Sequence, residues 1–138
     1  MSTEQNKATM RRIYDVMNDR NMERAGEFIA TDLVDHDAFP GQAPGLEGFK
    51  QSLTMFRSAF PDLHFTVEDM LAEGDQVATR FTVHGTHHSD FMDIPPTGKQ
   101  IQVSAFDLCR FADGKVVEHW GQVDMMGMME QLGVAGAP

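Results

Sequence analysis

Between Leu63 and Asp124 the apolar residues recur at every second position, and this stretch constrains the fold more than any other. Successive side chains of a β-strand point to opposite faces, so the pattern predicts long strands that are half buried. Gly74 and Gly114 lie in short polar turns, each between two alternating runs. The turns predict two hairpins, with strands from residue 63 to the first turn and at 76–86, 101–111 and 116–124.

The first sixty residues follow a helical period instead. Apolar residues at 10, 13, 14 and 17 share one face of a helix predicted for 3–18, and a shorter helix is predicted from Asn21 to Ala30. A short strand near residues 33–37 and a loop precede a third helix, from Leu46 to Phe60, which Pro61 ends. Helices followed by hairpins predict an α+β fold, in which the N-terminal helices pack in the concave face of a strongly curved antiparallel sheet.

Length and charge restrict the classes of partner. The 138 residues fit one domain over 1–138, and the net charge of -10 disfavours nucleic acid. No apolar run has the length of a membrane span, so no membrane partner is expected. The N-terminus lacks the apolar core of a secretory signal, and Cys109 has no second cysteine to pair with, which fits a reducing cytoplasm. The tail Val134–Pro138 is expected to fray.

The last predicted strand carries an unusual face. Alternation places Glu118, Trp120, Gln122 and Asp124 together, with His119 on the opposite face. An aromatic ring, an amide and a carboxylate in a row are typical of a pocket wall. The alternative is a half-exposed face whose polar groups meet water.

A histidine between two acids is the second candidate. His36 lies between Asp35 and Asp37, and a carboxylate can hold an imidazole in one tautomer for acid–base work. A histidine satisfied at a strand end fits the pattern equally well. A metal site is less favoured, because no second cluster has metal-ligand spacing.

Two further strands carry polar candidates. Arg80 and His84 share one face, where Arg80 could hold an anion or a carbonyl, or simply meet water. Asp107 lies among small and apolar neighbours. If it faces inward, loss of hydration raises its pKa unless a cation such as Arg80 is near.

Two stretches resemble the SnoaL-like polyketide cyclases, often called ester cyclases. They are Ala59–Ile101, with its Gly85–His87 and Pro95–Lys99 motifs, and Asp113–Gly133, in which Glu118–Trp120 precedes Asp124 and the Gln131–Gly133 motif. The resemblance covers almost the whole chain. It implies the cone-shaped α+β barrel that this family shares with ketosteroid isomerase and nuclear transport factor 2.

The resemblance also implies a reaction. Family members close the last ring of aromatic polyketides by an intramolecular aldol condensation, without cofactor or metal. By position, Asp124 is the implied general acid and base, with His36 or Asp107 as the base if Asp124→Asn keeps its activity. His36 and Arg80 are candidate donors to the enolate oxygen, and His119 is the weakest donor candidate because it faces away from Asp124. The predicted contacts to a flat hydrophobic substrate are Tyr14, Phe60, His84, Asp107, Trp120, Gln122 and Met128.

Two alternatives to an enzyme stay open. One is a non-catalytic protein that binds a small molecule, and the other is an interaction module that uses the open sheet face. A homodimer is expected in every case. A deep pocket with a perturbed Asp124 pKa favours the enzyme, a deep pocket with a solvated Asp124 favours the binding protein, and a filled barrel favours the module.

Overall fold

A computed structural model describes residues 1–134 of the chain, so the predicted tail beyond Val134 lies outside the described residues. Three helices, a 3₁₀ turn and five strands make up the fold. In chain order they are α1 (Thr3–Asp19), the 3₁₀ turn (Met22–Glu27), β1 (Ile29–Asp35), α2 (Gly45–Ala59), β2 (His64–Glu73), β3 (Gln76–Thr86), β4 (Gln100–Ala112), β5 (Lys115–Val123) and α3 (Met125–Leu132).

The five strands form one sheet in the order β1-β5-β4-β3-β2. The two predicted hairpins are present, and β2 to β5 pair antiparallel throughout. The edge strand β1 pairs parallel with β5, so the sheet is mixed and the prediction of a fully antiparallel sheet is wrong at this edge. The reason is that most of the chain separates β1 from β5, and no tight turn imposes an antiparallel direction on this pair.

The helices cover the concave face of the sheet, which confirms the α+β fold. Helix α1 packs against β2 and β3, and α2 packs against β1. A capping box starts α1: the Ser2 hydroxyl accepts from the Gln5 N–H at 3.1 Å, and the Ser2 N–H donates to the Gln5 side chain at 2.8 Å. Within residues 1–134 none of the helices is long and apolar enough to cross a bilayer.

A bulge in β5 decides which side chains enter the interior. Arg110 pairs with Glu118, but the next residue of β4, Phe111, pairs with Val116, so Val117 is an extra residue. An extra residue in one strand reverses its alternation at that point. Val116 and His119 therefore both face the interior, although they are three positions apart and strict alternation would place them on opposite faces.

Candidate functional site

A cavity of about 490 Å³ lies between the inner face of the sheet and helices α1 and α2. Its walls are mainly apolar, with Met10 and Ile13 from α1 and Phe49 and Phe56 from α2. Polar side chains enter it from β1, β4, β5 and the loop that follows β1. This combination of apolar walls and a few converging polar groups is typical of a small-molecule site.

Asp107 is the buried acid of the cavity. The Tyr14 hydroxyl on α1 donates to Asp107 Oδ2 at 2.5 Å, while Oδ1 is buried and has no hydrogen-bond partner within residues 1–134. Burial raises the pKa of Asp107 to about 6, although the Tyr14 hydrogen bond and the charge of His119 act the other way. Burial and the Asp107 charge raise the pKa of Tyr14, so the phenol stays a donor. The site thus holds a carboxyl group of moderate basicity with one uncommitted oxygen.

His119 lies beside it on β5, held by the last residue of β1. Its Nδ1 is 3.1 Å from Asp35 Oδ1, and because an ionised carboxylate only accepts, Nδ1 carries the proton. Burial lowers the pKa of His119, but the Asp35 hydrogen bond and the charges of Asp107, Asp35 and Asp37 outweigh it, so the pKa is raised. Burial raises the pKa of Asp35, but the hydrogen bond with His119 and those from Asp37 and Gln42 outweigh it, so the pKa is lowered. The pair favours an imidazolium ion, which is a proton donor.

Asp107 and His119 are close enough to act on one substrate. Cys109 pairs with His119 across β4 and β5, and one polar atom from each of Asp107, Cys109 and His119 lies within 4.8 Å of the others. Side chains of these types can hold a metal, but burial raises the pKa of the Cys109 thiol well above its ordinary value. A neutral thiol is a poor ligand, so the residues present fit acid–base chemistry better. The absence of a metal from the function stays a prediction.

The close packing around His119 requires a glycine at position 121. A Cβ on Gly121 would lie 2.9 Å from His119 Cε1, nearer than Cβ atoms approach other atoms. The backbone N–H of Gly121 also donates to Asp37 Oδ2 at 2.8 Å, and the Gln122 side chain donates to Asp37 Oδ1 at 3.2 Å. These contacts attach the loop after β1 to β5 at the cavity mouth.

Three of the predicted site residues border the cavity, namely His36, Asp107 and Gln122, and a fourth, Tyr14, bonds to Asp107. Asp107 borders the cavity and burial raises its pKa, although the charge of the nearby His119 acts the other way. Arg80 is on the outer face, where its Nη2 lies 2.5 Å from Asp69 Oδ2. It cannot serve the cavity as a donor from there.

The outer face of the sheet also takes Trp120 and His84, against the prediction that the Trp120 face forms the pocket wall. Trp120 pairs with Leu108 and stacks on the His36 ring, with centroids 4.6 Å apart. Alternation separates the two faces of a strand correctly but does not say which one is inner. His119 lies on the inner face, while Gln122, two positions after Trp120, still borders the cavity.

His84 borders a second cleft, on the other side of the sheet. This cleft also measures about 490 Å³, and it lies beside Gln100 and Gln131. Its acid, Asp62, already accepts from the N–H of Thr86 at 2.7 Å and from its hydroxyl at 2.7 Å. Because both oxygens of the Asp62 carboxylate already accept hydrogen bonds from Thr86, this cleft is less suited to acid–base chemistry.

Asp124 lies outside the strand, as the N-cap of α3. Its Oδ1 accepts from the Gly127 N–H at 2.9 Å, and its side chain is exposed to solvent. Its role as general acid and base stays a prediction that this position does not favour. Phe60 and Met128 are fully buried core residues, so their predicted substrate contacts are not supported by their positions.

The sequence contains the residues of the site that the motifs did not identify, namely Asp35, Asp37 and His119. The acids on either side of His36, Asp35 and Asp37, reach His119 and the Gly121 backbone, while His36 itself bonds to Glu118 at 2.7 Å. Alternation predicts His119 as the weakest donor candidate because it faces away from Asp124, whereas in the structure His119 lines the cavity. Pairing along the parallel edge of the sheet would have revealed the Asp35–His119 contact.

Comparison with known proteins gives a consistent result. The family model described as "SnoaL-like polyketide cyclase" matches residues 7–132. Aklanonic acid methyl ester cyclase DnrD from Streptomyces peucetius is 25% identical over 127 residues, which cover 90% of this chain and 88% of that protein.

Two solved structures add detail. IdmH, a putative polyketide cyclase from Streptomyces antibioticus, is 36% identical with a TM-score of 0.84, covering 94% of this chain and 99% of its own. AclR, a putative hydroxylase from Streptomyces galilaeus, is 31% identical with a TM-score of 0.83, covering 96% of this chain and 98% of its own. Proteins similar to this chain along nearly its full length are therefore described with more than one reaction.

Proposed function

Because this chain belongs to the SnoaL-like polyketide cyclase family, we propose that it catalyses an intramolecular aldol-type condensation, without a cofactor, on a flat hydrophobic ester. Asp107 is the general base and His119 the proton donor. The observation that carries this assignment is the Asp107 carboxyl group, which lines the cavity and has one oxygen within 4.8 Å of a His119 ring nitrogen. The same pair could serve a related proton transfer at a carbon acid.

The reaction needs one proton removed and one supplied. The Asp107 carboxylate takes a proton from a substrate carbon flanked by carbonyl groups, and the resulting enolate attacks a carbonyl of the same molecule to form the new C–C bond. His119 protonates the oxygen that becomes the aldol hydroxyl. Transfer of the proton from Asp107 back to His119, through solvent, restores the starting state.

The pKa values of both groups are raised, and this suits these roles. A pKa of about 6 leaves Asp107 mostly ionised at neutral pH, yet makes it a stronger base than an exposed carboxylate. The raised pKa of His119 favours the protonated imidazole, which is the form that donates. Two neighbouring titratable groups with different environments are the usual basis of acid and base assignments.

The rest of the cavity suits a hydrophobic ring system. Phe49 and Phe56 offer apolar surface from α2, and Phe39 packs on Phe56 with ring centroids 5.2 Å apart. Gln122 at the mouth supplies an amide beside the Asp37 carboxylate. Apolar walls with few polar groups orient a flat ligand without holding it by many hydrogen bonds.

The second candidate function is a non-catalytic small-molecule-binding protein. The exposed, helix-capping Asp124 beside a deep cavity favours it, by the criterion derived from the sequence. The perturbed carboxylate required for an enzyme is supplied by Asp107 instead. The two functions therefore differ in whether Asp107 is needed for turnover.

A cyclisation assay on aklanonic acid methyl ester tests the proposal, with product formation followed by absorbance and mass. Wild-type protein should turn the ester over, and Asp107→Asn should lower kcat by about 10²- to 10⁴-fold. Asp124→Asn is the matched control, because asparagine also caps helices well and should leave the rate near that of the wild type.

Three outcomes would contradict the assignment. Loss of activity in Asp124→Asn with retention in Asp107→Asn would make Asp124 the base. Ester binding by calorimetry without turnover would favour the binding protein. If the protein neither binds the ester nor turns it over, an aromatic polyketide ester is rejected as the substrate.

A further inference from the structure

The Gln42 side chain lies in the loop of residues 36–44, between β1 and α2, and bonds at both ends of its amide. Its Nε2 donates to Asp35 Oδ2 at 3.3 Å, and its Oε1 accepts from the Phe39 N–H at 3.1 Å. A carboxylate only accepts and an N–H only donates, so these two contacts allow a single orientation of the amide.

Through Asp35 the amide reaches the proposed proton donor. The Oδ1 atom of Asp35 faces His119 Nδ1 at 3.1 Å and also accepts from the Asp37 N–H at 3.1 Å, while Oδ2 meets Gln42. Hydrogen bonds at both oxygens fix the plane of the carboxylate, and that plane fixes the tautomer and tilt of the imidazole. Gln42, Asp35 and His119 thus form a chain from the loop to the cavity.

At its other end the amide holds the cavity mouth. Phe39 and Gln42 both line the cavity, and the Phe39 ring packs on Phe56 of α2. The Gln42 N–H also donates to the Phe39 carbonyl at 2.9 Å, which closes a turn. The same amide therefore links this part of the loop to Asp35.

We propose that Gln42 is a positioning residue, which aligns His119 through Asp35 and links the loop of residues 36–44 to it. The inference rests on the proposed function, in which His119 donates a proton.

Loss of the Gln42 amide is expected to lower the pKa of His119. His119 faces Asp35 on β1, Asp37 in the loop, and Asp107 and Cys109 on β4, and Asp107 is itself bound by Tyr14 on α1. Burial lowers the pKa of His119, and the Asp35 hydrogen bond is the largest effect that opposes it. A misaligned Asp35 therefore lowers the pKa of His119. The imidazole then loses its proton, and ceases to be a donor, at a lower pH.

Gln42→Met tests the inference, with Gln51→Met as the matched control. Methionine keeps the length of the chain but removes both hydrogen bonds. Gln51 accepts from the Ala43 N–H of the same loop at 2.8 Å, and its hydrogen bonds within the described residues do not extend to Asp35. The readouts are ¹⁵N NMR titration of the His119 ring in ligand-free protein and the pH profile of kcat/KM.

In Gln42→Met the His119 pKa should fall, the alkaline limb of the profile should move to lower pH, and kcat should drop about 10- to 100-fold. Gln51→Met should titrate as the wild type. An unchanged His119 titration in Gln42→Met, or an equal shift in Gln51→Met, would overturn the inference. A wild type without turnover rejects the proposed function, while the NMR titration still decides whether Gln42 aligns His119.

Discussion

The Asp107 carboxyl lies in an apolar interior, and its contribution to stability depends on pH. Its pKa is about 6 in the fold against an ordinary 3.8, because burial disfavours the charged form. A group whose pKa is raised on folding contributes most to stability when the pH is below its pKa in the unfolded chain. This contribution is lost as the pH rises through its pKa in the folded protein. Asp107 therefore destabilises the fold at neutral pH.

Asp107→Asn should consequently stabilise the protein at pH 7.5. The amide oxygen can still accept from Tyr14, and no charge is buried, so the free energy of unfolding should rise by about 1–3 kcal/mol. The gain should vanish near pH 4, where wild-type Asp107 is protonated. Urea denaturation at both pH values measures the effect, and exposed Asp15→Asn is the control. A gain of equal size at both pH values would contradict the burial argument.

The pH profile of kcat/KM follows from the same two residues. Activity should rise as Asp107 ionises near pH 6 and fall as His119 loses its proton, at a pH above the ordinary histidine value. Initial rates with the methyl ester, measured from about pH 5 to 9, report both limbs in the free enzyme. A rate that keeps rising through the alkaline range would exclude His119 as the acid.

Helix α3 depends on one side chain at its start. Asp124 caps it, and Met128 and Leu132 of the helix are buried in the core. Gly127 leaves space for the cap, since a Cβ there would lie 2.3 Å from Asp124 Oδ2. The carboxylate that the family resemblance marks as catalytic thus has a clear structural role in this chain.

Asp124→Ala should destabilise the protein by about 1 kcal/mol, because the Gly127 N–H loses its acceptor, whereas Asp124→Asn should cost little. Chemical denaturation of the three proteins at one pH compares them. Equal stability of the alanine and aspartate forms would show that the cap contributes nothing.

On the scale of the whole molecule, the outer face of the sheet carries a row of apolar side chains. Leu71, Ala78, Leu108 and Trp120 are successive neighbours across β2, β3, β4 and β5. Leu71 is 74% exposed, and Phe106 beside the row is 57% exposed. Charged groups around it are paired within the chain, as in Arg110 with Glu118 at 2.7 Å.

We propose that a second copy of the chain covers this row, as the expected homodimer requires. Paired charges and exposed apolar groups make the face complementary to itself under two-fold symmetry. Light scattering after gel filtration should give a dimer for the wild type and a monomer for Phe106→Glu. Met126→Glu, which changes a 78% exposed residue on α3, is the control and should stay dimeric. A monomeric wild type would reject the dimer.

Much of the fold was predictable from local pattern. The predicted helices at 3–18 and 46–60 differ by one residue at each shifted end from α1 and α2, and the predicted hairpins are those observed. The family assignment also followed from motifs. The sequence left the orientation of Asp107 open, and in the structure it borders the cavity, where burial raises its pKa.

Periodicity and turn residues therefore determined the elements of this protein and their grouping into faces, because both signals act over a few neighbouring residues. Only the tertiary structure decided which face is inner, since alternation is unchanged when the two faces are exchanged. It also brought Asp35 to His119, 84 residues along the chain, through a parallel pairing that no turn specifies. The pKa values of the site arise from burial and from these distant contacts, so they belong to the folded molecule alone.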